Sequence, residues 1–262
     1  MKQPLILVTN DDGITAPGIR NLVDVARTIG EVVVVAPDSP QSGMGHAITV
    51  ADPIRLHPSR AFSELDIQAF ECSGTPVDCV KLAKNVVLRD RTIDICVSGI
   101  NHGSNASINI IYSGTLSAAM EASLEGIPSI GFSHLDYAYS ADFKPGLPYV
   151  KQLIEYVLEH GLQQGSLLNV NIPDLPAGDL KGLKVCRQAD ARWVEEFHEA
   201  IDPRGQKYYW LTGRFVNDDH GPDTDIAALE SGYISVVPSM HDLTNYEALE
   251  SLKAVEQQEV SH

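Results

Sequence analysis

The chain has 262 residues, 44% of them hydrophobic and 21% charged, and 35 acidic residues against 19 basic ones leave a formal charge of −16. A chain of this length buries a sizeable core, either as one large α/β domain or as one domain with an appendage. Its acidic balance opposes binding to nucleic acid polymers and to anionic membrane surfaces, although a small anionic substrate stays open wherever a metal or helix N-termini make one positive spot. No apolar run approaches the ~20 residues of a membrane span and no signal pattern opens the chain, so a cytoplasmic protein is expected. Cys72, Cys79, Cys96 and Cys186 are scattered without CxxC pairs, which predicts buried, reduced thiols rather than disulfides or zinc ligands.

The first apolar run, Leu5 to Val8, reads as a strand covered on both faces, and it stops on Asn10-Asp11-Asp12-Gly13. Two adjacent carboxylates at the end of a buried strand repel each other and resist desolvation unless a cation compensates. Turn shaping and helix capping are the alternative use of such residues, but one Asp suffices for either, so the pair points to a metal site.

Pro17 opens a helix with Ile19, Leu22, Val23 and Ala26 on one face and Gly30 as its expected C-terminal cap. Val32 to Val35 is the next buried strand, which makes a parallel β-α-β unit. A loop from Ser39 to His46 leads into a region of expected strands between Ala47 and Phe70. Thr75 and Pro76 start a helix whose core face includes Val77, Val80, Ala83 and Val87. Ile93 to Val97 is a strand running into Ser98 to Asn105. Ser113-Gly114-Thr115 starts a helix with Leu116, Ala119, Met120 and Leu124 expected inward and Gly126 at its end. Ser129 to Phe132, a helix from Pro145 to His160, and Leu167 to Ile172 as the expected last strand complete the series. Such alternation means a three-layer α/β sheet.

Beyond about Leu180 the pattern changes. Trp193, Tyr208, Tyr209 and Trp210 gather around the turn Asp202-Pro203-Arg204-Gly205, which reads as a hairpin arm added to a sheet that is already complete. Exposed aromatics of this kind pack on a partner surface, or else cover a sheet edge of their own subunit. Thr224 caps a short helix, Tyr233 to Val237 is a strand, Tyr246 to Val255 is an acidic helix, and the last few residues are expected to fray.

In an open α/β sheet, ligands sit beyond the carboxyl ends of the strands where the strand order reverses. The loops Asn10–Gly13, Ser39–His46 and Ser98–Asn105 fall there and offer mainly oxygen donors. Hard oxygen ligands suit Mg²⁺ or Mn²⁺ better than zinc, with Asp11 and Asp12 as anionic ligands and Ser42 and Asn101 as neutral ones. Asn101 and Asn105 serve equally well as turn residues, and Ser113-Gly114-Thr115 as a plain helix cap; aimed at the same crevice, that helix N-terminus is an anion site. His46 and His102 sit beside glycines and could donate to a phosphate. There is no P-loop and no GxSxG elbow, and Gly43-Met44-Gly45 lacks the third glycine of a dinucleotide fingerprint. An aspartyl-phosphate phosphatase with Asp11 as nucleophile and a non-catalytic nucleotide- or metal-binding module stay open as alternatives.

Along nearly its whole length the chain resembles the SurE survival-protein family of metal-dependent 5'/3'-nucleotidases. The resemblance rests on Leu7-Val8-Thr9-Asn10-Asp11-Asp12-Gly13, Gln41-Ser42-Gly43 with Gly45-His46, Ser73-Gly74-Thr75-Pro76-Val77-Asp78-Cys79-Val80, Ser98 to Asn105, Tyr112-Ser113-Gly114-Thr115 with Ala118-Ala119-Met120-Glu121, and Thr224-Asp225 with Gly232-Tyr233. It implies a Rossmann-like three-layer fold with a mainly parallel sheet and a C-terminal hairpin and helix extension used in oligomerisation. The single domain would span 1–262, with a core of about 1–180 and an arm and swapped extension of about 181–262. Asp11, Asp12, Ser42 and Asn101 are implied to hold one Mg²⁺ or Mn²⁺ per subunit. Asn105 and Ser113, with Gly43, Gly114 and Thr115, are implied at the substrate phosphate, and Asp11, Asp12, Asn105 and Ser113 in catalysis. The implied substrates are nucleoside 5'- and 3'-monophosphates, with short polyphosphate in some members, and the implied assembly is a homodimer or homotetramer. Between Asn105 and Tyr112 the family usually carries a Gly and one or two acids, whereas this chain reads Ala106-Ser107-Ile108-Asn109-Ile110-Ile111.

Overall fold

The computed structural model describes residues 3–257, so the expected fraying of the last few residues lies outside the described residues. Strand β1 (Leu5–Thr9) is buried at every position, because its two faces serve two separate apolar layers. Ile6 and Val8 pack with Ile19, Leu22 and Val23 of helix α1 (Pro17–Ala26), while Leu5 and Leu7 face the opposite layer with Cys79, Val80, Ala118 and Ala122. Each such side chain contributes roughly 2 kcal/mol on burial, and that two-sided demand produces an unbroken apolar run.

Strand β2 (Glu31–Pro37) pairs parallel to one side of β1. Between 47 and 70 only β3 (Leu56–Pro58) and the start of β4 (Gln68–Cys72) are strands, so that expected strand region is mostly loop and turn. Helix α2 (Pro76–Leu82) begins at a full capping box in which Thr75 and Asp78 satisfy each other's backbone amides. Then come β5 (Ile95–His102), α3 (Gly114–Leu124), β6 (Ser129–His134), α4 (Leu147–His160) and β7 (Ser166–Ile172). The chain continues through β8 (Leu183–Val185), the hairpin strands β9 (Ala191–Ile201) and β10 (Lys207–Asn217), α5 (Asp225–Glu230), β11 (Ile234–Met240) and α6 (Tyr246–Leu252).

The main sheet has nine strands in the order β3-β4-β2-β1-β5-β6-β7-β11-β8. Its pairings are parallel except β3 with β4 and β11 with β7. The Rossmann-like expectation therefore holds, while the expectation that the sheet is complete at Ile172 does not. β8 and β11 come from beyond Leu180 and extend the sheet past β7. Their few residues lack the long apolar runs of the central strands, since β8 is a half-buried to exposed edge.

Two smaller expectations also change. Helix α1 ends at Ala26 with Arg27 as its C-cap, before Gly30. Gly30 is instead required by close approach, because a Cβ there would stand 2.4 Å from the Pro4 carbonyl oxygen. In α3 the small residues Ala118, Ala119 and Ala122 let the helix lie close on its neighbours. Met120 is only half-buried and Leu124 is 49% exposed, since both fall outside that tightly packed arc.

Candidate active site

β1 has β2 on one side and β5 on the other, so the strand order reverses between β1 and β5. A crevice of about 350 Å³ opens beyond their carboxyl ends. Asp11, Asp12, Ser42, Gly43, Asn101, His102, Asn105 and Ser113 all line it, which brings together three loops that are far apart in sequence.

The turn after β1 is closed by Asn10, whose Nδ2 donates to the Gly13 carbonyl at 2.9 Å. Asp11 is buried, and its Oδ1 accepts the Thr115 hydroxyl. Burial first, and the neighbouring Asp12 charge second, push the Asp11 carboxyl from an ordinary 3.8 up to about 6, against the Thr115 hydroxyl and backbone amide, which hold it down. Asp12 is half-buried and also raised, chiefly by desolvation, while the His102 backbone amide donates to its Oδ2 at 3.2 Å. Among the described residues lining the crevice there is no lysine or arginine to balance this pair.

The loop carrying Ser42 and Gly43 is pinned at both ends. The Gln41 amide donates to the Asp11 carbonyl at 2.8 Å, and the Gly45 amide to the Tyr112 carbonyl at 3.2 Å. His46 lies outside the crevice lining, with its Nε2 3.1 Å from Oε2 of buried Glu121, which also takes Lys81. The expectation that His46 meets a phosphate is therefore corrected, because its ring is occupied in holding the loop. His102 does line the crevice, but its Nδ1 faces the Ala138 carbonyl at 2.9 Å.

Asn101 is aimed by a bulge. Two residues of β5, Gly99 and Ile100, oppose one of β6 between the Ser98–Gly131 and Asn101–Ser133 pairs. Gly99 takes φ +122°, a backbone region open mainly to glycine. The Asn101 amide nitrogen donates to the His102 and Gly103 carbonyls at 3.2 and 2.8 Å, and its Oδ1 takes no hydrogen bond among the described residues.

Asn105 is buried and held on three sides. Its backbone amide donates to Asn171 Oδ1, its Nδ2 to Ser133 Oγ, and its carbonyl accepts from Asn169 Nδ2. One amide hydrogen remains for the crevice. Ser113 caps α3 by accepting the Leu116 amide at 3.0 Å, which leaves its hydroxyl proton free to donate.

Gly114 and Thr115 do not line the crevice. Thr115 is fully buried against Asp11, and a Cβ on Gly114 would come within 2.7 Å of the Asp11 Cβ. The structure thus places both against the Asp11 carboxylate, as its support.

Ser104, from the expected loop, and Asn109, from the stretch that departs from the family pattern, also line the crevice, together with two wall residues that the sequence reading missed, Tyr137 and Trp193. Tyr137 was recoverable in principle, since it follows the carboxyl end of β6. Trp193 was noted only as an arm aromatic, and nothing in its local pattern shows that the root of the hairpin folds back onto the crevice. Ser107, in the stretch that departs from the family pattern, takes φ +55°, where a glycine would be at ease. Its amide donates to Asp225 Oδ2 at 2.7 Å and its hydroxyl to the Ala189 carbonyl at 2.8 Å, which holds that conformation.

The donor set suits a hard divalent cation. Asp11 and Asp12 bring charge, Asn101 Oδ1 is presented free, and Ser42 lines the same space. Among the described residues no group of three or more His, Cys, Asp and Glu gathers as a metal cluster, the crevice included, so a cation there would depend on the two carboxylates with amide and hydroxyl oxygens.

A family model described as survival protein SurE matches residues 6–195. A 5'-nucleotidase SurE of Christiangramia forsetii is 58% identical over 253 residues, covering 97% of each chain. One of Flavobacterium psychrophilum is 58% identical over 252 residues, covering 96% of this chain and 97% of the other. The crystal structure of a SurE protein from Aquifex aeolicus matches with a TM-score of 0.83 at 38% identity, over 97% of this chain and 100% of that one. The family model covers well over half of the chain and the similarity to these relatives spans nearly all of it, and the chain belongs to the SurE survival-protein family.

Proposed function

We propose that this chain hydrolyses nucleoside 5'- and 3'-monophosphates to nucleoside and phosphate, using one Mg²⁺ or Mn²⁺ per subunit. The observation that carries this reading is the pair Asp11 and Asp12, desolvated at the switch point with no cationic side chain in the crevice lining. The names of the similar proteins agree with the activity.

Asp11, Asp12, Ser42 and Asn101 would hold the cation, which supplies charge neutralisation of the phosphate and a more acidic water. Thr115 and the N-terminus of α3 hold the Asp11 carboxylate in place, and the His102 amide holds Asp12. Ser113 donates its hydroxyl proton, and Asn105 its remaining amide hydrogen, to phosphate oxygens whose charge redistributes as the ester bond breaks. Both groups are set in place before substrate arrives, so they lose little freedom in the reaction. The water oxygen bonds to phosphorus, the bond to the sugar oxygen breaks, and that oxygen leaves with a proton.

The hairpin supports assembly as a homodimer or homotetramer, since a two-stranded ribbon with exposed apolar side chains is marginal alone in water. Four free, buried cysteines suit a reducing compartment such as the cytoplasm.

The test is phosphate release from a panel of 5'- and 3'-nucleoside monophosphates with EDTA, Mg²⁺ or Mn²⁺. Metal-dependent release is expected, with a fall on the order of 10³-fold in Asp11→Asn. Folded protein that binds the metal yet releases no phosphate from any member of the panel would overturn the reading.

A further inference from the structure

A second cleft, of about 320 Å³, opens directly off the crevice and shares Ser104, Asn109, Tyr137 and Trp193 with it. The first space holds the carboxylates of Asp11 and Asp12 with several amide and hydroxyl side chains, whereas the second is the more apolar of the two and is lined by Leu135, Phe215, Ile226 and Leu229. A nucleoside monophosphate has the same asymmetry, with a dianion at one end, sugar hydroxyls between, and a flat aromatic base at the other.

The wall between the two spaces is built, not incidental. Trp193 Nε1 donates to Asn109 Oδ1 at 2.8 Å, and Asn109 Nδ2 donates to the Ser104 carbonyl at 3.3 Å. Phe215 meets the indole edge-on, with ring centroids 5.6 Å apart at 67°. Behind them Asp225 takes the amides of Ser107 and Ala189. The indole is therefore fixed by its edges while the residue stays 41% exposed. Tyr137, 71% exposed, packs its ring on Gly103, where a Cβ would come within 2.3 Å of it.

Resting on the phosphomonoesterase reading above, we infer that this cleft is the nucleobase subsite and that Trp193 is its stacking platform, selecting purine nucleotides. A fixed, half-exposed indole offers a π-face whose ordering costs nothing further on binding. The larger purine ring covers more of that face than a pyrimidine does. Glu230 lines the same cleft and is exposed; its carboxylate accepts hydrogen bonds only and so favours bases that present amino or ring N–H groups. The root of the hairpin thereby contributes to substrate choice from within the same chain.

The chain has two tryptophans, so Trp210→Phe leaves Trp193 as its only indole. In that variant, adenosine and GMP should quench the emission saturably, UMP more weakly, and ribose 5-phosphate not at all. Absence of saturable quenching by adenosine overturns the subsite, and this readout requires no turnover. In the enzymatic arm, Trp193→Ala should lower the ratio of kcat/KM for AMP over ribose 5-phosphate about tenfold, mainly through KM. Trp193→Phe should retain most of that ratio, since the ring is kept and only the N–H to Asn109 is lost. If AMP and ribose 5-phosphate fall together in Trp193→Ala, the side chain only supports the wall and the inference fails. Wild-type protein that hydrolyses neither compound defeats the phosphomonoesterase reading instead, while quenching by adenosine still reports on the cleft.

Discussion

The carboxyl edge of the sheet and the β9–β10 hairpin place polar and apolar side chains in opposite ways. At the edge, Asn105, Ser133, Asn169, Asn171 and Asp225 are buried and tied to one another or to backbone. On the hairpin, Phe197 is 67% exposed and Trp210 and Leu211 are each 62% exposed. A buried polar group left unpaired costs about 1–3 kcal/mol, so a network of this kind tolerates one arrangement and little else. The crevice is consequently preorganised inside one chain. The hairpin gains little by burial in its own chain, which is the physical support for the proposal that an assembly covers it.

The largest expected effect on stability comes from breaking the edge at Asp225. That carboxylate is fully buried and accepts the amides of Ser107, Ala189 and Ile226. Asp225→Ala should cost about 4 kcal/mol in urea unfolding, because charged hydrogen bonds are lost and buried donors are stranded. A loss below 1 kcal/mol would show that water or a relaxed backbone satisfies those donors.

The next effect sharpens the electrostatic side of the comparison. Since the folded state raises the Asp11 carboxyl from 3.8 to about 6, it binds that proton more tightly than the unfolded chain does. Its contribution to stability is therefore present below pH 4 and lost as pH rises through 6, by about 3 kcal/mol in metal-free protein. Urea unfolding in EDTA should show wild type falling relative to Asp11→Asn over that window, and added Mg²⁺ should stabilise wild type more at pH 7 than at pH 5. Parallel pH profiles for the two proteins would refute the desolvated carboxylate.

The smallest effect is expected on the hairpin. Leu211→Ser should change the unfolding free energy of the subunit core by about 0.5 kcal/mol or less, as an exposed substitution does. It should still weaken assembly, read as a smaller mass by light scattering on dilution. A large loss of core stability with unchanged mass would mean the hairpin packs within its own chain.

How much of this was legible in the sequence depends on the range of the interaction. The buried β1, the Thr75 capping box, the Ser113 and Thr224 caps and the two carboxylates rest on neighbouring residues, and each was readable from its own stretch. The crevice could be placed as well, because α/β alternation fixes which loops fall at the carboxyl ends of parallel strands. Errors arose where distance intervened. Gly30 resembles a cap but meets Pro4, and His46 resembles a phosphate donor but belongs to Glu121.

By itself, then, the sequence determined the layered sheet, its first β-α-β unit, the cluster Asp11, Asp12, Ser42, Asn101, Asn105 and Ser113, and the family. Period, cap chemistry and motif order are local properties that survive in a linear string. Only the tertiary structure decided that β8 and β11 extend the sheet, and that Asp225 braces a loop from 118 residues away. It alone decided that Trp193 closes the crevice through Asn109, 84 residues distant. Those pairings depend on where the folded backbone returns, and no short stretch of residues encodes the partner it will meet.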